Sequence, residues 1–290
     1  MAKLFNQPYA APNGDATVTL PARLPFDATR VVFVNGHFRA DLSDDLKVDK
    51  GIVIDSLKHH LVHGPVKAHY GQVAPIGDRL FTAMNAAAPT DGLIILATKG
   101  TKTSRPLHVL HITTDGGQLI QPRDLFMLHE GANVEVIIEH IATDCASSLV
   151  NSIRESVIGE GANLTIHLLQ NEANGPAHIG LDGVTIGAKG RFSIDTTTLN
   201  GSLVRNEVNV ALAGPGSACR TERCVCAERH HALRQPHLHR SRRSGLHQRR
   251  ALQGHRGGER HGRVQRQGVR EAGCPAHPRL PEQREHPARR

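Results

Sequence analysis

The stretches EGANVEV (130–136), EGANLTI (160–166) and AKGRFSI (188–194) decide the fold of this chain. Each stretch joins a glycine turn to a segment in which apolar and polar residues alternate. Because successive side chains of a strand point to opposite faces, such a segment is apolar on one face only. This alternation predicts an inward-facing set of side chains: Val134, Val136, Leu164, Ile166, Phe192 and Ile194.

The glycine turns recur with a nearly constant period. Four glycines lie at intervals of 30, 29 and 26 residues: Gly131, Gly161, Gly190 and Gly216. Each interval holds two strand candidates, and helical patterns nearly vanish between residues 91 and 220. A period near 28 residues without helices predicts the stacked coils of a β-solenoid. A β-sandwich is the alternative, which would explain the strands but not their regular spacing.

The first part of the chain, residues 1–88, has mixed α/β character. VVFVNGHF (31–38) predicts a hairpin with an Asn-Gly turn. IDSLKHHLVHG (54–64) predicts a short helix that ends at Gly64. DRLFTAMNAAA (78–88) predicts a second helix with one apolar face. That face would carry Leu80, Met84 and Ala87.

The formal net charge of +8 is distributed unevenly along the chain. Residues 1–220 hold 18 Lys and Arg against 21 Asp and Glu, whereas residues 221–290 hold 17 Arg, 6 Glu and no Lys. The whole-chain charge therefore says nothing about the partners of residues 1–220. No run of 18 apolar residues and no signal peptide is visible, and only Cys145 and Cys219 lie before residue 221. These features predict a cytoplasmic protein without a membrane span or a disulfide framework.

The composition changes abruptly after Arg220. The last 70 residues also lack Asp, Asn, Ile, Phe, Tyr and Met, a bias that GC-rich DNA produces when it is read out of frame. A one-base shift supports this interpretation, because HGRVQRQGVREAGCPA (261–276) can be back-translated to a frame that reads TGVFNGKVFVRQDAQH. We therefore expect residues 221–290 to be frameshifted and disordered, which would leave the solenoid incomplete. The cysteines of this tail would then have no selected role: Cys224, Cys226 and Cys274. A basic arm that binds nucleic acid and a histidine-based metal site are the alternatives.

Candidate chemistry before the tail is sparse. HHLVH (59–63) has helical spacing that can bind a metal, but we favour its interpretation as a polar helix face. His108 and His111 should point to opposite faces of one strand. The remaining histidines are dispersed along the sequence: His140, His167 and His178. We interpret Glu155 and Glu160 as solvated charges at the edge of a strand. We interpret Cys145 and Cys219 as buried small side chains. A β-helical carbohydrate-active enzyme would need paired carboxylates on one face, and no repeat-matched Asp/Glu cluster is apparent. We assign no catalytic or metal-binding residue from the sequence.

Two longer stretches carry a family resemblance. FTAMNAAAPTDGLIILATKGTKTSRPLHVLHI (81–112) resembles the entry to the core of the SufB/SufD family of Suf iron–sulfur assembly proteins. LVNSIRESVIGEGANLTIHLLQNE (149–172) is similar to the SufD side of that family. The positions that carry this similarity are Asn151, Glu155, Gly159 and Ala162, followed by an alternating strand. The resemblance covers about residues 25–219 and contains no diagnostic ligand motif.

The resemblance implies a fold and a role. The fold is a right-handed parallel β-helix over residues 89–220, after the mixed segment 1–88 and before the tail 221–290. The role is that of a non-catalytic scaffold subunit in a complex that assembles iron–sulfur clusters. Its partners would be a SufB-like chain, joined through the β-helices, and a SufC-type ATPase, whose docking region is missing here. We expect no cofactor bound by this chain alone, because the family's Cys and His positions linked to assembly fall beyond Arg220.

Overall fold

Two stacked β-sheets form the body of the described structure, with strands contributed alternately along the sequence. The computed structural model describes residues 7–225, apart from residues 48, 75, 78 and 144, and the backbone of two further strands within 226–254. The strands are β1 (Thr29–Val34), β2 (His37–Phe38), β3 (Ile52–Ser56), β4 (Leu93–Ala97), β5 (Leu107–Thr114), β6 (Leu119–Ile120), β7 (Arg123–Leu128), β8 (Asn133–Thr143), β9 (Leu149–Ile158), β10 (Asn163–Asn171), β11 (Ala177–Ile186), β12 (Arg191–Asn200), β13 (Leu203–Leu212), β14 (Ala218–Val225), β15 (Ala232–Leu233) and β16 (His247–Gly254). The described helices are a 3-10 helix (Leu57–His60), α1 (Gly64–His69) and α2 (Leu80–Ala87).

The strand order is that of a β-solenoid. The first sheet runs β16-β14-β12-β10-β8-β5-β1-β2, and the second runs β15-β13-β11-β9-β7-β4-β3, with β6 beside β9. Pairing is parallel except between β1 and β2 and between β3 and β4. Each coil thus gives one strand to each sheet. The predicted mainly β solenoid, with a small mixed segment before it, is confirmed.

The turn that begins each coil repeats at a slightly different spacing from the predicted one. Asn163 pairs with Asn133 and with Arg191, which pairs in turn with Ala218. The corresponding turn residues have positive φ: Gly131 (67°), Gly161 (62°), Lys189 (55°) and Gly216 (71°). Lys189, not Gly190, is therefore the equivalent of the other glycines. Gly190 is constrained differently, because a Cβ there would lie 2.9 Å from the Ile186 side chain and 3.0 Å from the Gly159 carbonyl oxygen.

The apolar core lies between the two sheets and follows the predicted alternation. All six side chains predicted to face inward belong to one buried cluster, which also contains residues of the second sheet such as Ile158, Ile186 and Leu212. A smaller cluster on the outer face of β1 and β5 is covered by the N-terminal chain and includes Ala16, Val32 and Leu110. The first coils are therefore buried on both sides.

The N-terminal segment differs in part from its prediction. Asn35 and Gly36 both have positive φ and join β1 to β2, so the predicted hairpin is confirmed. The predicted helix 54–64 is wrong, because its first residues pair with β4 as part of β3 and only Leu57–His60 form a 3-10 turn. Helix α2 forms as predicted, but only part of its predicted face is buried: Met84 packs against the solenoid, whereas Leu80 is 61% exposed and Ala87 is exposed. Asn85 is fully buried instead. The side-chain amide of Asn85 donates hydrogen bonds to the backbone carbonyl oxygens of Pro122 and Asn151, and these bonds hold this side of α2 against the solenoid.

The solenoid continues past Arg220. Strand β14 extends to Val225 and pairs with β12, and the backbones of β15 and β16 add parallel pairs to β13 and β14. Cys226, Cys274 and most of the predicted disordered tail lie outside the described residues, so the domain boundary at 220 and the frameshift stay predictions. Among the described helices, none is long and apolar enough to cross a membrane.

Candidate functional site

The interior of the solenoid is divided lengthwise into an apolar half and a polar half. Inward side chains near the repeating turn are apolar, whereas those at the ends of the first-sheet strands and the beginnings of the second-sheet strands are polar. We call the second group the polar half: His111, Asp124, His140, Ser152, Arg154, Gln170, Glu172, His178, Asp182, Thr198 and Asn206. All of these residues are buried except Ser152, which is partly buried. Buried polar groups at this density must satisfy one another.

Three aromatic rings stack along the first sheet. His111 lies between Phe33 and His140, with centroid distances of 5.0 and 4.6 Å, and both pairs of rings are nearly parallel. The ring of His140 then meets His178 of the second sheet edge-on at 4.6 Å. Burial lowers the pKa of His111 to about 3 and lowers the pKa of His140 well below its ordinary value. Both rings are therefore neutral at pH 7.

An ion-paired arginine connects three adjacent second-sheet strands. The Arg154 guanidinium donates to Asp182, and its Nε lies 3.5 Å from Asp124 Oδ2. Burial raises the pKa of both aspartates, and the nearby positive charge of Arg154 opposes that change. These aspartates occupy register-matched positions on either side of Arg154, so the prediction of no repeat-matched carboxylates is wrong. Because Arg154 engages both aspartates, they are not a free carboxylate pair for glycoside hydrolysis.

A further buried carboxylate lies where the chain passes from β10 to β11. Glu172 accepts a hydrogen bond from His178 Nδ1 at 2.9 Å, and His178 Nε2 lies 3.1 Å from Ser152 Oγ. Glu172 is fully buried, and its other oxygen, Oε1, has no hydrogen-bond partner in the described structure. A buried acceptor without a hydrogen-bond partner lowers the stability of the folded state by about 1–3 kcal/mol.

His140 completes this group of potential ligands. His140, Glu172 and His178 could together hold a metal ion, because their potential ligand atoms all lie within 4.8 Å of one another. Within the described part of the chain, no other group of three or more His, Cys, Asp or Glu side chains has this arrangement. The prediction that His140 and His178 are dispersed is therefore wrong, whereas His167 does lie apart, on the outer face between Glu135 and Asp195. The coil period would have aligned His140 with Gln170. The bend after Glu172, which brings His178 back to this position, has no comparable sequence signal.

A small cavity adjoins these residues. Its volume is about 10 Å³, and its walls include His140, Ser152 and His178. A cavity of this size admits one water molecule. Although Ser152, His178 and Glu172 follow the order of a hydroxyl–imidazole–carboxylate relay, the cavity is too small for an acyl substrate.

A separate polar network lies on the outer face of the second sheet. Glu155 accepts hydrogen bonds from Arg123, with a shortest distance of 2.6 Å, and from the backbone N–H groups of Gly71, Val73 and Ala74. Both partners of the ion pair are only 1% exposed at their side chains. The interpretation of Glu155 as a solvated edge charge is therefore wrong, whereas Glu160 is exposed as predicted. Glu155 fixes the N-terminal segment to the solenoid.

The other histidine and cysteine candidates occupy local structural positions. His59 and His60 both contact Asp55, at 3.1 and 3.0 Å, and the HHLVH stretch forms no donor group of the required spacing among the described residues. His108 points outward to Glu139, whereas His111 points inward. The prediction that these two side chains point to opposite faces of one strand is therefore confirmed. The cysteines before the tail are buried, as predicted: Cys145 and Cys219.

Comparisons with known proteins agree with this architecture. The family model described as the SUF system FeS cluster assembly, SufBD core domain, matches residues 111–255. The model of the SufBD protein N-terminal region matches residues 24–109. The first match begins at His111 and includes the polar half of the interior from that residue onward.

Two curated relatives support the same family. An iron–sulfur cluster assembly SufBD family protein of Synechocystis sp. is 25% identical over 205 residues, which are 67% of this chain and 45% of the relative. Protein ABCI7, chloroplastic, of Arabidopsis thaliana is 24% identical over 144 residues, or 47% of this chain and 30% of the relative. The chain thus spans less than half the length of these relatives. Since the two family models together match most of the sequence, the chain belongs to the SufBD family of the SUF iron–sulfur cluster assembly system.

Proposed function

We propose that this chain is a SufD-like, non-catalytic scaffold subunit of a complex that assembles iron–sulfur clusters. The observation that carries the proposal is the match of both SufBD models in the correct order over a continuous parallel solenoid. The iron–sulfur cluster would be the product assembled by the complex, not a resident cofactor of this chain.

The assignment to the SufD side rests on a specific stretch. Residues 149–172 carry the similarity to SufD-like chains, and they form β9, the following turn and β10 near the middle of the solenoid. In the structure Asn151 and Glu155 hold the N-terminal segment, through the α2 backbone and the 71–74 backbone respectively. This local role supports a shared SufBD architecture, and the SufD-like assignment is the finer step that we propose.

A SufB-like chain is the proposed direct partner. The outermost strands of the two sheets are β15 and β16 in the described structure, and a restored reading frame would supply its own sequence for this last coil. A terminal strand presents one row of backbone donors and acceptors that can pair with another chain. A SufC-type ATPase would dock to a region beyond residue 220 that the one-base shift has replaced. We place the complex in the cytoplasm, although one curated relative is named as chloroplastic.

The experiment is co-expression of the tagged chain with SufB-like and SufC-like subunits from the same genome. It uses two versions, the 290-residue chain and a version whose reading frame is restored after codon 220. We expect the restored version to co-elute with both subunits, and the 290-residue chain to lose the ATPase. A restored chain that elutes as a monomer in the presence of both subunits would overturn the proposal.

An assay of nucleic-acid binding distinguishes the alternative function. A basic arm at residues 221–290 would give affinity that falls steeply with salt and disappears when the arm is deleted. The scaffold proposal predicts that deletion of residues 226–290 leaves the fold of residues 7–225 intact. It also predicts no sequence-selective binding of DNA or RNA by either version.

A further inference from the structure

We propose that His140, Glu172 and His178 bind a divalent transition-metal ion inside the solenoid, and that this donor set favours Fe²⁺. Two imidazoles and one carboxylate are the ligands of the non-haem iron sites that keep positions open for other ligands. The inference goes beyond the proposed function, because all three ligands come from this chain and binding would require neither partner subunit.

The separation of two donors already suits a shared ion. Glu172 Oε2 and His178 Nδ1 are 2.9 Å apart. Two ligands at right angles, each about 2.1 Å from a metal ion, would be about 3 Å apart. The ion would take the place of the proton that now lies between these atoms, and that proton would move to His178 Nε2. The ligand atom of His140 lies within 4.8 Å of both, so the His140 ring would have to move towards them to enter the same coordination sphere.

The unsatisfied oxygen of Glu172 is an independent observation. Oε1 is buried and has no hydrogen-bond partner within the described structure. Buried carboxylates normally have partners on both oxygens, because an unpaired charge in a low dielectric is unfavourable. A cation next to the carboxylate would compensate this charge, and a second coordination bond from Oε1 would satisfy the free atom.

Ser152 holds the histidine in the orientation that the site requires. If His178 binds the ion through Nδ1, its Nε2 must carry the proton, and Ser152 Oγ lies 3.1 Å away as an acceptor. A hydrogen bond to the non-ligating nitrogen usually fixes the tautomer and orientation of a metal-bound histidine.

The neighbouring charges and space permit an ion. The nearby cation Arg154 is engaged with Asp182 and Asp124, so its charge is compensated inside the same interior. The adjoining cavity of about 10 Å³ has room for one water molecule, which could occupy a coordination position that the protein leaves open. The competing interpretation is a metal-free hydrogen-bonded relay from Ser152 to Glu172.

Cobalt(II) provides the first test, because its visible absorption reports nitrogen and oxygen ligands. The full chain contains 20 His, so exposed sites will also bind cobalt. A buried site is recognised by slow removal with a chelator, whereas exposed ions are removed within the mixing time. We expect one slowly released cobalt ion per folded chain, and one slowly released Fe²⁺ ion when the loading is repeated without oxygen.

Two variants and a matched control locate the slow site. Glu172→Gln keeps the size of the side chain and an acceptor for His178 but removes the charge, and His140→Phe retains a ring that can stack on His111. Each should weaken the affinity of the slow site by at least about 100-fold, since loss of a ligand exceeds the about 10- to 100-fold effect of an outer partner. The matched control is His111→Phe, which changes the neighbouring ring of the same stack and should leave slow binding unchanged.

A folding control accompanies each measurement. Circular dichroism and thermal melting of the metal-free variants should show that Glu172→Gln folds, because it removes a buried charge without changing volume. X-ray absorption of the wild-type chain, recorded on the slowly released ion alone, should show two imidazole ligands. Absence of a slow phase, or a slow phase that persists in Glu172→Gln and His140→Phe, would establish the metal-free relay.

Discussion

The Arg123 guanidinium lies 2.6 Å from the Glu155 carboxylate on the outer face of the second sheet, and both side chains are almost completely buried. The same carboxylate accepts three backbone N–H groups from residues 71–74. One residue of the solenoid therefore anchors a segment more than 80 positions earlier in the sequence.

Replacing Glu155 with Gln should strongly destabilise the protein. The variant leaves the buried Arg123 charge uncompensated, a change that typically costs about 3–5 kcal/mol. Denaturant unfolding followed by circular dichroism measures the free energy. The matched control is Glu160→Gln, an exposed change that should stay within about 0.5 kcal/mol of wild type. Equal effects of the two substitutions would show that Glu155 is not an anchor.

The repeating turn makes a second prediction. Gly161 has a φ of 62° with open space around its Cα, so Gly161→Ala should cost about 1–2 kcal/mol through backbone conformation alone. Lys189 occupies the equivalent position with a φ of 55°. Lys189→Gly should therefore be neutral or slightly stabilising in the same unfolding experiment. A loss of stability on Lys189→Gly as large as that of Gly161→Ala would contradict the equivalence of the two turns.

The N-terminal chain contains a pH-dependent contact. Asp44 accepts hydrogen bonds from Arg23 and from the backbone N–H of Arg30, and the Arg23 hydrogen bond is the main cause that lowers the pKa of Asp44 to about 2. A carboxylate with a lowered pKa stabilises the folded state above its ordinary value of 3.8, and this contribution is lost as the pH falls towards 2. Because Arg23 is largely exposed, screening limits the contribution to about 1 kcal/mol.

The test compares wild type with Asp44→Asn. The difference in unfolding free energy should be about 1 kcal/mol at pH 5 and should shrink below pH 3.8. Asp45→Asn is the control, since Asp45 is exposed and accepts its hydrogen bond from the backbone N–H of Lys47 in its own loop. A difference between Asp44→Asn and wild type that stays constant across this range would exclude Asp44 as the source.

The composition change after Arg220 predicts a one-base difference in the gene. Sequencing of genomic DNA around codon 220 should reveal a frame that continues with Glu-Leu-Asn-Gly. Mass spectrometry of the expressed protein from the source cells gives an independent measurement of its C-terminal peptides. Agreement of both with the 290-residue sequence would remove the frameshift and favour a genuine basic arm.

The sequence was sufficient to predict the repeating part of the fold. Alternation in 130–136 and 160–166 identified the inward side chains, because burial of one strand face is a local property of period two. The turn equivalence was misplaced by one residue, since Lys189 adopts a conformation that glycine usually supplies. The residue type alone pointed to Gly190 as the equivalent turn residue, whereas the strand register identifies Lys189.

The candidate site depends on contacts that local patterns do not encode. Glu155 looked like an edge charge because its partners, Arg123 and residues 71–74, come from other coils and from the N-terminal segment. His140 and His178 come together only because the chain turns sharply after Glu172. Each of these contacts becomes visible once the strand pairing is known.

The division of the interior into two halves has a consequence for strand pairing. Alternation of inward and outward side chains prevents a strand from slipping by one residue, but a slip by two residues keeps every side chain on its own face. In a uniformly apolar interior such a slip would cost little. Here it would move Arg154 out of register with Asp124 and Asp182 and leave charges unpaired. The polar half thus fixes the register of the three neighbouring coils that contribute Asp124, Arg154 and Asp182.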